Sequence, residues 1–287
     1  MRVVAVHESS QGDSDAVTFS FADPAEQLYG LARLGLSGEG ERRRGSALAV
    51  MFAERVPVVA IADGDIPVEA SAGWKELSLP GLTASIEVPL ERWSIRLAGE
   101  SHGFALTFEA ASPPARRSKP PETEGYEQLC SVRGEAVLDG EVRPVDGRGQ
   151  RGHSWGSPDW TRLAEMHTVC AWMDDDRGVA MTVVRENGSA GHDEDERWGA
   201  MLDPAAAVQI ADPRLSTTYD GDGRQRRAGL ELWLDETQGG PRRAAGTLLC
   251  GSSLELGQLR LDCSFMRWTM DGVVGTGRYD VLRRAAW

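Results

Sequence analysis

No stretch of the 287-residue chain approaches the roughly 18 consecutive apolar residues that a membrane-crossing helix needs. Positive charge is also in short supply: 31 Lys and Arg stand against 44 Asp and Glu, a formal net charge of −13. Binding a phosphate backbone requires clustered cations, so no nucleic-acid partner is expected. The dense basic runs, Arg42-Arg43-Arg44 and Arg224 to Arg227, read as loops. The segment Met1 to Asp15 lacks the apolar stretch and small-residue cleavage site of a signal peptide, which leaves a cytoplasmic address as the expectation. Cysteine is scarce. Cys130, Cys170, Cys250 and Cys263 are widely spaced with no Cys-x-x-Cys pair, so four reduced, mostly buried thiols are expected and no metal site. Aromatics amount to only 7%, yet nine of them are Trp. At 41%, hydrophobic residues suffice for a packed core and argue against intrinsic disorder.

Helical periodicity is nearly missing too. Asp23-Pro24-Ala25-Glu26-Gln27 can open a helical turn, and Pro204 to Val208 is a second short candidate. What dominates is two-residue alternation. Leu259, Leu261, Cys263 and Phe265 alternate with Arg260, Asp262, Ser264 and Met266, as a half-buried strand requires. The same period runs through Leu230 to Asp235, Ser85 to Val88, Trp93 to Leu97 and Phe104 to Phe108. Val56 to Ile61 and Gly178 to Val184 are continuously apolar and read as strands covered on both faces. Asp63-Gly64, Asn187-Gly188, Gly239-Gly240 and Asp271-Gly272 suit tight turns between strands, and Val137-Leu138-Asp139-Gly140-Glu141-Val142 is the clearest two-residue hairpin. Many short strands with few helices predict an all-β antiparallel sandwich or barrel.

One segment interrupts the pattern. Ser112 to Pro121 holds four prolines, which donate no ladder hydrogen bond, so a linker is placed at 112–124 between units at 1–111 and 125–287. His192 to Glu196 is a charge run that reads as a solvated loop, Asp174-Asp175-Asp176 as a hairpin turn, and His7 and His102 as surface or turn residues. Core or pocket roles stay open for His167 and Glu165.

The most informative stretch is Gly147-Arg148-Gly149-Gln150-Arg151-Gly152-His153-Ser154-Trp155-Gly156-Ser157-Pro158-Asp159-Trp160. It has no Gly-Lys-Ser/Thr, so its glycines do not make a nucleotide loop. Either its Trp side chains plug a barrel end with His153 held in the core, or the segment forms a pocket mouth. In the second case Trp supplies apolar walls, and His and Asp can move protons.

This segment resembles the signature of the hydroxyneurosporene synthase (carotenoid 1,2-hydratase) and AttH-like family, which reads Gly-x-Gly-x-Arg-Asp-His-Ser-Trp-Gly-x-Arg-Asp-Trp. Tyr126-Glu127-Gln128, the Val132-to-Val142 hairpin, Leu28 to Leu34 and Asp271 to Tyr279 extend the resemblance along most of the chain. It implies two tandem lipocalin-like β-barrel domains with few short helices, and a pocket for a hydrophobic small molecule in or between them. It also implies chemistry without a cofactor: hydration of isoprenoid double bonds, or the cycloadditions of related double-lipocalin proteins in natural-product pathways. A polyketide- or isoprenoid-type substrate follows, transformed by cyclisation, isomerisation or hydration; the alternative is a non-catalytic carrier of lipid-like molecules. His153 and Asp159 are the expected catalytic pair. Trp155, Trp160 and Trp268 are expected as walls, with Gln150, Arg151, Ser154 and Tyr279 as further ligand contacts. Two positions depart from the family pattern: Gly152 stands where it has Asp, and Ser157-Pro158 replace residues before Asp159 that include its Arg. Hydrating an unactivated alkene requires a strong acid, so the loss of the motif Asp weakens that reaction more than it weakens the pocket.

Overall fold

The computed structural model describes residues 13–117, 123–234 and 240–285. Every extended element is antiparallel, and no α-helix occurs among the described residues. The first sheet begins with β1 (Ser14–Asp23), β2 (Leu28–Ser37), β3 (Arg44–Ala53), β4 (Val56–Pro67) and β5 (Glu76–Leu79). It continues with β6 (Leu82–Val88), β7 (Arg92–Leu97), β8 (His102–Ala110), β9 (Ala115–Arg117), β10 (Thr123–Leu138) and β11 (Glu141–Gly156). Its order is β4-β3-β2-β1-β11-β10-β8-β7-β6-β5, with β9 added on β10. The second sheet holds β12 (Leu163–Met173), β13 (Gly178–Glu186), β14 (Glu196–Leu202), β15 (Ala207–Gln209) and β16 (Asp212–Tyr219). Its remaining strands are β17 (Gln225–Trp233), β18 (Arg242–Leu256), β19 (Leu259–Met270) and β20 (Val273–Arg284), in the order β15-β14-β13-β12-β20-β19-β18-β17-β16.

Both sheets curl until distant strands meet. In the first, Gly45 on β3 packs against Leu79 on the far strand β5; in the second, Gly199 on β14 packs against Pro213 on β16. Curling shields edge backbone groups and encloses one core per sheet. Val17, Phe19, Phe21, Trp93 and Phe108 fill the first barrel. Met181, Met201, Leu230, Trp268 and Tyr279 fill the second. A third core lies between the barrels, where Tyr29, Leu31, Phe52 and Leu129 of the first meet Trp172, Leu261 and Phe265 of the second.

That third core explains where alternation misleads. Asp262, Ser264 and Met266, expected on a solvated face of β19, are buried, because β19 has a barrel on one side and the partner sheet on the other. Conversely, Val56 to Ile61 is not covered on both faces. It lies in β4, the edge strand of the first sheet, and Val56 is 57% exposed. Asp63-Gly64 makes no turn; it sits inside β4 beside a bulge, with Asp65 at φ 56°. The two helical candidates are a turn at Asp23, whose carboxylate accepts from the Ala25 and Glu26 N–H groups, and a bend leading into β15. The short helices reduce to 3₁₀ turns at Gly40–Arg42 and His192–Glu194. His7, Lys119 to Pro121 and Gly239 lie outside the described residues.

Sheet membership does not change at the Pro-rich segment. The long hairpin β10-β11 pairs with β8 on one side and β1 on the other, so residues 125–156, expected in the unit 125–287, complete the first sheet. The change falls between Gly156 and Leu163. The reason is that β9 pairs residues 115–117 with β10, so the described strands on either side of the proline-rich stretch belong to one sheet.

Candidate functional site

The Gly-rich motif is strand β11, whose neighbours are set by the Asp139-Gly140 turn. Both turn residues have positive φ, 52° and 82°, as the tightest hairpin turn requires. Counting outward from that turn places Tyr126 opposite His153 and Glu127 opposite Gly152. Alternation then divides the motif between two faces. Arg151 and His153 point into the first barrel; Gln150 and Gly152 face the second sheet.

His153 is 1% exposed, as is Asp15 on β1. The His153 Nε2 lies 2.6 Å from Asp15 Oδ1, and the Trp74 indole N–H donates to Asp15 Oδ2 at 2.9 Å. The His153 ring packs edge-on against Trp74, Tyr126 and Trp155. Its Nδ1 is buried without a hydrogen-bond partner among the described residues. With Nε2–H given to Asp15, Nδ1 carries the free lone pair, the arrangement in which a carboxylate orients an imidazole for proton transfer.

A cavity of about 710 Å³ lies between the two barrels and reaches His153. Leu31, Leu48, Met166, Leu261 and Leu282 give it apolar walls, while Arg33, Arg117, Glu127, Arg278 and Asp280 bring charge. Ser154 and Trp155 line it, and Trp160, 42% exposed, stands at its rim. Arg278 Nη1 is 3.3 Å from Asp280 Oδ2. Burial pushes the Asp280 carboxyl up against the pull of Arg278; burial also opposes the charge of Arg278, but Asp280, Cys170, Cys263 and Glu127 together outweigh it and raise the guanidinium pKa. Burial, reinforced by Arg278, pulls the Arg33 guanidinium below its ordinary value.

Not every expected residue reaches this cavity. Asp159 is exposed and does not meet His153. Its carboxylate accepts from the Thr161 hydroxyl at 2.6 Å and the Thr161 N–H at 2.9 Å. These bonds hold it below the usual carboxylate range, the opposite of what a proton donor needs. Arg151 lies inside the first barrel, stacked on Trp93 and Tyr126 and donating to Gln128 Oε1 at 2.6 Å. Gln150 is buried behind the cavity lining. Its amide donates to Glu127 Oε2 at 2.8 Å and accepts from the Trp172 indole at 3.3 Å. Trp268 and Tyr279 are core residues of the second barrel. The Tyr279 hydroxyl bridges His167 Nδ1, 2.8 Å away, and Thr217 Oγ1, 2.5 Å away, and His167 Nε2 pairs with Glu165 at 3.3 Å.

Two contributors were missed from sequence, Asp15 and Glu127. Nothing local marks Asp15. Glu127 was within reach, because the hairpin register sets it opposite Gly152. A Cβ on Gly152 would lie 2.6 Å from both Glu127 carboxylate oxygens, so this glycine is where the neighbouring strand's carboxylate sits.

Two tandem lipocalin-like barrels with a cavity between them define a double-lipocalin protein. The chain belongs to the family described as a domain of unknown function, DUF7064, which matches residues 5–285. No curated protein matches it in sequence. The fold is similar to that of an AttH-type protein from Nitrosomonas europaea, with a TM-score of 0.74 at 13% identity over 96% of this chain and 93% of that one. Kievitone hydratase from Nectria haematococca gives 0.65 at 9% identity over 95% and 89% of the two chains. CghA, solved with Sch210972, gives 0.67 at 12% identity over the same shares. The likeness to AttH-like proteins expected from the motif therefore holds, at the level of the fold.

Proposed function

We propose that this protein is a cofactor-independent enzyme that transforms an apolar polyketide- or isoprenoid-type molecule in the inter-barrel cavity, by cyclisation, isomerisation or hydration. The observation that carries this reading is the cavity itself. At about 710 Å³ it suits a small-molecule ligand, and it pairs leucine walls with a few convergent charged groups. A buried carboxylate–imidazole pair at its edge adds proton-transfer capacity. Holding a flexible polyene in one reactive conformer lowers the barrier even without a strong acid. Two proteins that share the fold support the reading by what they are called or contain: one is a hydratase, the other holds a small molecule. The free, buried cysteines are compatible with a reducing cytoplasm, and no helix among the described residues is long and apolar enough to cross a membrane.

The test has two parts. Titration with 1-anilinonaphthalene-8-sulfonate should give saturable fluorescence that Leu31→Trp, which fills the cavity, abolishes. Incubation with a panel of polyenes and polyketide-like carbonyl compounds should then give a product of shifted retention or mass by chromatography coupled to mass spectrometry. Saturable binding with no turnover of any compound would make the protein a carrier. An unchanged titration in Leu31→Trp would remove the cavity from the proposal.

A further inference from the structure

The carboxyl group missing from the motif is returned by the strand beside it. Glu127 and Gly152 face each other across the β10-β11 ladder, and the Glu127 carboxylate fills the space that a side chain at 152 would enter. Gln150 anchors one of its oxygens, Oε2, at 2.8 Å. Among the described residues no other hydrogen bond reaches this carboxylate, and it lines the cavity. The cations around it are Arg117 and Arg278, both within its electrostatic field. Arg278 is engaged by Asp280. Arg33, which also lines the cavity, makes no ion pair among the described residues.

We propose that Glu127 is the proton-transfer residue of this cavity, acting as a general base on a carbon next to a carbonyl group, with Arg33 positioned for the oxygen. This rests on the reading of the cavity as a ligand site. Gln150 takes only one carboxylate oxygen, so the other is left toward the cavity, where a base can reach a ligand C–H. In the step, the C–H bond of the ligand breaks and an O–H bond forms on Glu127. The electron pair becomes the carbon–carbon double bond of an enolate, whose charge rests on oxygen facing Arg33. Return of the proton to another carbon of a conjugated ligand completes an isomerisation, and no further reactant is needed. The substrate class narrows accordingly to apolar molecules carrying a carbonyl.

The test uses β-ionone, an apolar unsaturated ketone, in D₂O, with deuterium uptake beside the carbonyl followed by mass spectrometry. Wild type should speed uptake over buffer. Glu127→Gln should lose this by about a hundredfold or more, the scale of a general base, while still binding 1-anilinonaphthalene-8-sulfonate. Gly152→Ala, which pushes the carboxylate aside, should lose it similarly. The transposed pair Glu127→Ala/Gly152→Asp should regain at least a tenth of the wild-type rate. Uptake in Glu127→Gln equal to wild type would overturn the proposal and pass the role to His153. So would a wild type that binds both probes but leaves exchange at the buffer rate. A wild type that binds neither probe is a separate failure, that of the cavity reading itself.

Discussion

His153 is held by structure as much as it serves a site. Its ring and the Trp74 indole both bond the buried Asp15 carboxylate. Removing the imidazole leaves a buried carboxylate without that hydrogen-bond partner, at a cost of about 3–5 kcal/mol. His153→Ala should therefore lower stability by about 3 kcal/mol in urea unfolding, and adding Asp15→Asn should recover much of that loss. A double variant no more stable than His153→Ala would show that the pair does not account for the cost. Gly152 behaves differently. The atoms that a Cβ would meet there are the mobile end of Glu127, which can swing away at the cost of its Gln150 hydrogen bond. Gly152→Ala should thus cost only about 1 kcal/mol, the net value of one such bond.

At the scale of the strand, glycine has the opposite consequence wherever it faces neighbouring backbone. On β20 a Cβ at Gly277 would stand 2.0 Å from the Cys170 carbonyl oxygen and 2.6 Å from the Ala171 Cα on β12. Backbone in a paired ladder cannot swing aside. Gly277→Ala should cost about 1–3 kcal/mol, the range for overpacking, and clearly more than Gly152→Ala in the same urea series. Equal midpoints for the two variants would contradict the distinction. The β10-β11 hairpin shows how far an element was legible in sequence. Asp139-Gly140 announced its turn, and the turn dictates every pairing out to Gly156. Its membership of the first sheet was not legible, because the prolines at 113 and 114 look like a boundary while β8, before them, still pairs with β10. Edge and centre were likewise indistinct: Val56 to Ile61 and Gly178 to Val184 share an apolar pattern, yet only β13 is covered on both faces.

For the molecule as a whole, the core between the barrels is the decisive feature. Phe265 of the second sheet packs against Tyr29 (tilted) and Phe52 (edge-on) of the first, at ring-centroid distances of 5.5 and 6.0 Å. Shared burial of this kind couples the barrels, so calorimetry should show one unfolding transition, and Phe265→Ala, costing about 3–5 kcal/mol, should lower it as a unit. Two separated transitions would mean that the barrels unfold independently. Cys170, Cys250 and Cys263 lie in the same core, with Cys130 inside the first barrel. Burial pushes Cys130 up to about 11, and Cys170 and Cys250 up to about 12. Their contribution to stability is full below the unfolded thiol value of about 8.5 and is lost as pH rises toward 11–12, because unfolded thiols ionise first. Iodoacetamide at pH 8.5 should leave the native protein unlabelled and modify all four thiols once denatured; ready labelling of the native state would place a thiol at the surface.

Composition, turn residues and alternation together determined an all-β, antiparallel, few-helix chain, since each is a local property that the backbone satisfies within a few residues. The motif also pointed to the right strand. Which of its residues share a site was decided only in three dimensions. The pleat sends His153 and Gly152 to opposite faces, Asp15 arrives from a strand 138 residues away in sequence, and Asp159 is turned out by its own capping bonds. The cavity exists only because two barrels pack convex face to convex face, and the carboxylate beside the motif comes from the strand across the hairpin.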